Sequence, residues 1–302
     1  MAAKFSVIIP TFNHANFLKL ALCSLIKQTF TDWECVIIDN HSQDHTDHVV
    51  AEFRDPRLRL MKIYNNGVIA ASRNLGLDSA TGEWVAFLDA DDVWYSTRLE
   101  KIAAAIAEDE QLDVISTDEW SVHLNTQQKS SLRYGPYCPN FYQALLKDGN
   151  RLSTSATAIR REFLERESLR FRENAEFITV EDYDLWMRVA RAGAKFLFIS
   201  SYEGEYTVHG SNSSANMQRH YMNLKSLLQD HVFNLQEFSK DRESVWRYVL
   251  ARVCLSEALA YSQKGQLLRS AQLCAQAILC SPIGLIKHLR VRARRRSGIA
   301  TS

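Results

Sequence analysis

Over the first 120 residues the chain alternates short apolar runs with segments of helical apolar spacing. Phe5–Pro10 is a compact β-branched run and reads as a buried strand. Asn16–Gln28 places Phe17, Leu18, Leu22, Leu25 and Ile26 on one helical face. The same alternation continues with a strand at Trp33–Asp39, a helix at Asp44–Phe53 and a strand at Leu58–Ile63. A helix at Ile69–Leu77, a strand at Glu83–Asp89, a helix at Thr97–Ala107 and a strand at Leu112–Ser116 complete it. Strands separated by helices predict an α/β domain with a mainly parallel sheet covered on both faces and joined by right-handed crossovers.

Beyond residue 120 the rhythm changes. Residues 121–152 hold prolines and many Ser, Thr and Gln, which predicts a loop-rich insert. Ser153–Ile159 and Phe196–Ile199 read as strands, and Val180–Ala190 as a helix with Leu185, Trp186 and Val189 on one face. Ala215–Phe238, Arg242–Gln263 and Leu267–Leu279 read as three further helices, the last two turning at Lys264-Gly265. The expected division is a sheet domain over 1–212, a helical extension over 213–286 and a basic tail over 287–302.

Ligands of open α/β sheets sit beyond the carboxyl ends of the strands. Here each such end is polar: Thr11-Phe12-Asn13-His14 after the first strand, and Asp39-Asn40-His41-Ser42 after the second. Asn65-Asn66-Gly67 follows the third strand and Asp89-Ala90-Asp91-Asp92 the fourth. Two carboxylates two residues apart at a strand end repel one another, and a divalent cation such as Mn²⁺ or Mg²⁺ relieves that. The competing reading makes Asp91 or Asp92 a helix N-cap. Glu181-Asp182 opens an amphipathic helix, where carboxylates also suit the helix dipole. A carboxylate there could instead take a proton from a hydroxyl, with Trp186 one turn on as an apolar floor for a sugar ring. His209 precedes a Gly/Ser/Asn loop and is either a structural histidine or a phosphate or metal contact. Gly67 could open a loop toward a ligand with Arg73 supplying charge; the bland alternative is a surface arginine. Dinucleotide, P-loop, zincin and serine-hydrolase signatures do not occur.

Charge sharpens this picture. The net charge of +1 hides a basic tail, since Lys287, Arg290, Arg292, Arg294, Arg295 and Arg296 fall within ten residues. Without the tail the remainder is mildly acidic, so nucleic acid is not the expected partner of the body; an anionic membrane surface is the candidate partner of 287–302. The six cysteines contain no CxxC pair and mostly sit in apolar runs, which predicts free thiols in a reducing compartment. The start of the chain lacks a secretory h-region, and 270–286 is too short and polar to span a bilayer. The expected location is cytoplasmic, at the inner face of a membrane.

Five segments together resemble the family 2 glycosyltransferases. They are Ser6–Asn13, Val36–Asn40, Asn66-Gly67 with Ala71–Gly76, Phe87–Asp92 and Glu181–Trp186. The resemblance spans about residues 4–212 and implies a GT-A fold and inverting transfer from a nucleotide-diphosphate sugar. It implies that Pro10, Thr11 and Phe12 lie against nucleobase and ribose, and that Asp39 and Asn40 read the base. Many members have two aspartates at that place; Asn40 leaves UDP as the expected nucleotide, with dTDP as the alternative. By the same resemblance Gly67 and Arg73 lie near the nucleotide, Asp89 contacts ribose and metal, and Asp91 is the principal ligand of Mn²⁺ or Mg²⁺. Asp182 matches the general base, Glu181 and Trp186 the acceptor side, and His209 a histidine near metal and diphosphate. The implied partners are a nucleotide-sugar donor and a glycan or lipid-linked acceptor of cell-surface glycan synthesis. Two alternatives are a nucleotidyltransferase, whose glycine-rich basic first loop is missing, and a silent nucleotide-sugar-binding scaffold.

Overall fold

The computed structural model describes residues 3–210, 216–286 and 288–289. It divides the chain into two compact units, Met1–Tyr137 with Arg151–Ala215, and Cys138–Asn150 with Asn216–Ser302. The sequence reading kept 138–150 with the sheet; the structure groups it with the C-terminal helices. The loop after Gly210 and nearly all of the basic tail lie outside the described residues.

The first unit opens with β1 (Phe5–Thr11), α1 (Ala15–Ile26), β2 (Trp33–Asp39), α2 (Thr46–Glu52), β3 (Leu58–Lys62), α3 (Ile69–Ser79) and β4 (Trp84–Phe87). β1 is buried at every position, which is why its sequence shows no polar alternation. Its neighbours β2 and β4 are both parallel to it, and β3 lies outside β2. The chain therefore grows outward from β1 on one side and returns to its other side at β4. That reversal is a topological switch point, where such sheets open a crevice beyond their carboxyl ends.

The second half of the sheet is mixed. β5 (Val93–Trp94), α4 (Arg98–Glu108), β6 (Val114–His123) and β7 (Lys129–Leu132) precede β8 (Thr157–Arg160). α6 (Arg161–Arg166), α7 (Glu181–Arg191) and β9 (Phe196–Val208) follow. The order is β3-β2-β1-β4-β8-β6-β9-β5, with β7 on β6. β8 runs antiparallel to β4 and β6, whereas β6 and β9 are parallel. β6 and β9 are longer than their apolar runs predict, because they continue into polar stretches paired from Thr117 to His123 and from Ile199 to Val208. β6 and β7 thus claim part of the 121–152 segment expected to be loop.

One core fills the space between α1, α4 and the sheet, built on Leu18, Leu22 and Leu25 of α1 and Leu99, Ile102 and Ile106 of α4. On the other face α3 lies very close to β1. A Cβ on Gly76 would sit 2.4 Å from Ile8 Cγ2. Beside it, Asn74 accepts from the Phe171 N–H at 2.9 Å and donates to the Phe171 carbonyl at 2.8 Å. The amide thereby stands in for a strand partner and fixes the chain leading into α7.

The second unit contains α5 (Phe141–Asp148), α8 (Met217–Asp230), α9 (Arg242–Gln263) and α10 (Leu267–Cys280). Asn216 caps α8 by accepting from Arg219 N–H, and Asp241 caps α9 by accepting from Ser244 N–H. α9 and α10 form the anticipated hairpin, turned at Gly265 with φ +75°. Ala251, Cys254, Ala277 and Leu285 form its small core.

Gly76→Ala should lower stability by about 1–3 kcal/mol despite the better helix former, because Ile8 lies in the central strand and has little room to move. A fall in the urea unfolding midpoint checks this; an unchanged or higher midpoint contradicts the close approach.

Candidate active site

The polar strand ends lie along the carboxyl edge of the sheet, and an ion-paired arginine ties the end of β4 to α7. Arg73, on α3, is buried. Its Nη1 donates to Glu181 Oε1 at 2.6 Å and its Nη2 to Asp89 Oδ1 at 2.8 Å. Burial works against its charge, but the adjacent Asp89 and Glu181 carboxylates more than offset that and raise its pKa. It also stands over the Phe171 ring, 5.5 Å from the centroid. This is no surface arginine: it joins the end of β4 to the start of α7.

Asp182 sits in the first turn of α7, partly exposed, with its Oδ1 accepting from the Tyr183 N–H at 2.7 Å. Burial first, and the Glu181 carboxylate second, push its pKa up to about 7. An unfolded aspartate titrates near 4, so folding makes Asp182 bind its proton more tightly. Its contribution to stability is complete below about pH 4 and is lost as pH rises through about 7.

Asp89, Asp91 and Asp92 do different work. None caps α4, whose N-cap position is Thr97. Asp89 serves Arg73. Asp92 is buried: it accepts from Ser155 Oγ at 2.5 Å and from Thr207 N–H at 2.8 Å. Burial and the nearby Asp91 charge raise its pKa well above the ordinary value. Asp91 meets His209 Nε2 across 2.8 Å. Burial and then the Asp89 charge raise the Asp91 pKa too. The His209 ring stacks on Phe17, with centroids 4.8 Å apart. Among the described residues no group of three or more His, Cys, Asp or Glu side chains is arranged to hold a metal ion.

The other expected residues line the remaining strand ends. Pro10 and Thr11 are buried, Phe12 is exposed, and Thr11 Oγ1 is buried without a hydrogen-bond partner. The Asp39 carboxylate is buried and committed to Ser42 and to Lys62, whose Nζ lies 2.6 Å away. Asn40 Oδ1 accepts from Asn65 N–H at 2.9 Å, so it braces the next loop. Gly67, with φ +80°, donates its N–H to Asn65 Oδ1 at 2.8 Å. Trp186 departs from expectation. It is wholly buried, edge-on to Phe87 and Phe171 with centroids 6.3 and 6.5 Å away. It is a core wedge beneath α7, not a sugar floor, because the apolar face of α7 turns to the sheet.

Three participants were not singled out from sequence. Ser155, just before β8, donates to Asp92 and accepts from the Asp89 N–H at 3.0 Å. Tyr206, in β9, is partly exposed; burial, then the charges of Asp92, Asp91, Asp89 and Asp182, raise its pKa and keep the phenol protonated. His41 stacks on the exposed ring of Tyr64 at 3.6 Å, forming an aromatic rim beside Asn40. The motif spacing gave no sign of these.

The glycosyl transferase family 2 model matches residues 6–167. The chain belongs to glycosyl transferase family 2. The nucleotidyltransferase alternative is thereby set aside. The chain is 38% identical over 96 residues to the Escherichia coli UDP-Glc:alpha-D-GlcNAc-diphosphoundecaprenol beta-1,3-glucosyltransferase WfgD. That match covers 32% of this chain and 38% of WfgD, so the chain spans less than half the length of that relative. S. aureus TarS 1–349 in complex with UDP-GlcNAc shares its fold, with TM-score 0.66, 18% identity and 90% of each chain covered. A mannosyltransferase from Pyrobaculum calidifontis, solved with GDP-Man and Mn²⁺, superposes with TM-score 0.59 at 19% identity, covering 96% of this chain and 84% of its own. The fold of this family 2 chain is the GT-A fold of these enzymes.

Ser155→Ala removes the shared partner of Asp92 and of the Asp89 N–H. It should cost about 1–3 kcal/mol, since it leaves a buried carboxyl with one partner fewer. Thermal unfolding checks this, and an unchanged melting temperature contradicts the role.

Proposed function

We propose that the protein is an inverting glycosyltransferase. It moves one sugar from a nucleotide-diphosphate sugar, UDP-linked by preference, to a hydroxyl of a lipid-linked glycan in cell-surface glycan synthesis. The observation that carries the reading is Asp182, a partly exposed carboxylate with a pKa of about 7 beside the Arg73 clamp. Near neutral pH such a group accepts a proton readily and is still ionised in a substantial fraction of molecules.

The donor lies along the strand ends in this reading, with its nucleotide beside Pro10, Thr11, Phe12, Asp39, Asn40 and Gly67. Its sugar faces Asp89, Glu181 and Asp182. Buried atoms without partners support a polar ligand there: Thr11 Oγ1, Arg73 Nε and Glu181 Oε2. Sugar and ribose hydroxyls have the chemistry to satisfy them. Asp182 takes the proton of the acceptor hydroxyl as its oxygen attacks the anomeric carbon from the side opposite the nucleotide. The C–O bond to the diphosphate breaks as the new one forms, so configuration inverts in one displacement. Tyr206 stays protonated and so can donate to an oxygen of the bound substrates.

Asp91 and His209 are the residues that would hold Mn²⁺ or Mg²⁺. The Asp91 carboxylate is the hard oxygen donor those ions prefer, and the His209 imidazole fits Mn²⁺ better than Mg²⁺. Burial first and the Asp89 charge second raise the Asp91 pKa, a penalty that a cation would relieve. Two protein ligands suffice where substrate phosphates complete the shell. The ion would supply charge neutralisation at the diphosphate leaving group.

Asp182→Asn should lower kcat by about 10²–10⁴-fold while nucleotide-sugar affinity stays within about threefold. Release of nucleoside diphosphate and calorimetric donor titration measure the two. Full turnover by the variant would remove Asp182 from the role. Donor binding without transfer or hydrolysis by the unaltered protein would favour the silent-scaffold reading.

A further inference from the structure

We infer that the outer face of α10, with the helical residues that follow it, docks on an anionic lipid surface. Among the described residues nothing covers this apolar face. Leu267, Leu268, Ile278 and Leu279 are exposed, Leu268 and Leu279 at 85% each, while Leu273 and Ala277 turn inward. At 100° per residue the exposed set, with two alanines between its ends, occupies about one-third of the helix circumference. Beyond α10, Ile283 and Ile286 in the short helical run 282–286 are also more than half exposed. A single exposed leucine is ordinary; a stripe running along four turns of one helix is not.

Charge selects the occupant. Residues 258–302 contain no Asp or Glu and eight Lys or Arg. Two of these, Lys264 and Arg269, stand at the start of α10, and the other six follow Ile286. Between Arg269 and Lys287 there is no charge at all. A second copy of the chain would cover the stripe but bring two wholly basic segments together. A nucleic acid would satisfy the charge and leave the leucines in water. A bilayer rich in anionic headgroups satisfies both: aliphatic side chains enter the acyl boundary while the flanking basic residues meet phosphate. No helix among the described residues is long and apolar enough to cross a membrane, so this helix would lie in the interface.

This surface does not depend on the transfer reaction, and its test is separate from activity. The full chain is sedimented with phosphatidylcholine vesicles, with and without added phosphatidylglycerol, beside the double variant Leu268→Gln/Leu279→Gln. Both positions are exposed, and circular dichroism and donor hydrolysis confirm that the variant is intact. The unaltered chain should bind the anionic vesicles preferentially, and added salt should weaken that binding. The variant should bind at least about tenfold more weakly. Equal binding by the two proteins, or no preference for anionic vesicles, overturns the inference. So does a chain that ignores vesicles but is a dimer by light scattering and becomes a monomer in the variant; that outcome assigns the stripe to self-association.

Discussion

One buried guanidinium sets the terms for the site. Arg73 faces Asp89 and Glu181, and Asp182 lies close enough for its charge to be felt. Three carboxylates around one cation leave an excess of negative charge in a poorly solvated place. Arg73 fixes the geometry of that excess by tying α3, the end of β4 and the start of α7 into one unit. Burial first, and the Glu181 charge second, raise the proton affinity of Asp182 until it titrates near neutrality, with Arg73 acting against them. The clamp that builds the site thus also tunes the group that would act in it.

A second buried polar set supports the first. Asp92, Ser155 and the Thr207 backbone link the loop after β4 to the entry of β8 and to β9. At the start of α4, Arg98 lies over the Trp94 ring, 4.6 Å from its centroid, and burial lowers its pKa to about 10. Glu119, buried as well, accepts from the Tyr134 hydroxyl at 2.9 Å. Such groups cost desolvation energy that their partners offset only in part: Arg98 Nη1 donates to Thr117 Oγ1, while Arg98 Nε and Nη2 and Glu119 Oε1 are buried without hydrogen-bond partners. The Asp92 set ties the loop after β4 to β8 and β9, the strand that leads to His209 beside Asp91 and carries Tyr206 within reach of the aspartate charges.

The parallel half was legible in the sequence chiefly because β1, β2 and β4 are buried nearly throughout. Apolar runs such as Val36-Ile37-Ile38 stand out there, and the polar ends of those runs marked the edge. The mixed half was less legible for the converse reason. β9 reads as strand only to Ile199, since Ser200–Val208 is polar along a partly exposed strand. α5 and β7 lie in short segments with weak periodicity. Arg73 could be named, but its partner Glu181 lies 108 residues away, and no local spacing encodes that pairing. Trp186 was misplaced because periodicity gives the apolar face of a helix and not what that face meets. Tyr206 and Ser155 are ordinary polar residues in sequence and acquire meaning only when strands from different parts of the chain bring them beside the aspartates.

The account turns on Glu181 adding to burial in raising the basicity of Asp182, with Arg73 opposing it. The pH dependence of kcat/KM for Glu181→Gln beside the unaltered protein tests it most directly, since that ratio reports groups of the free enzyme. The unaltered protein should show an acidic limb near pH 7, where Asp182 gains its proton. Removing the Glu181 charge leaves Arg73 less neutralised and Asp182 easier to ionise, so the limb should move to lower pH. A limb that stays in place, or moves to higher pH, would contradict the account.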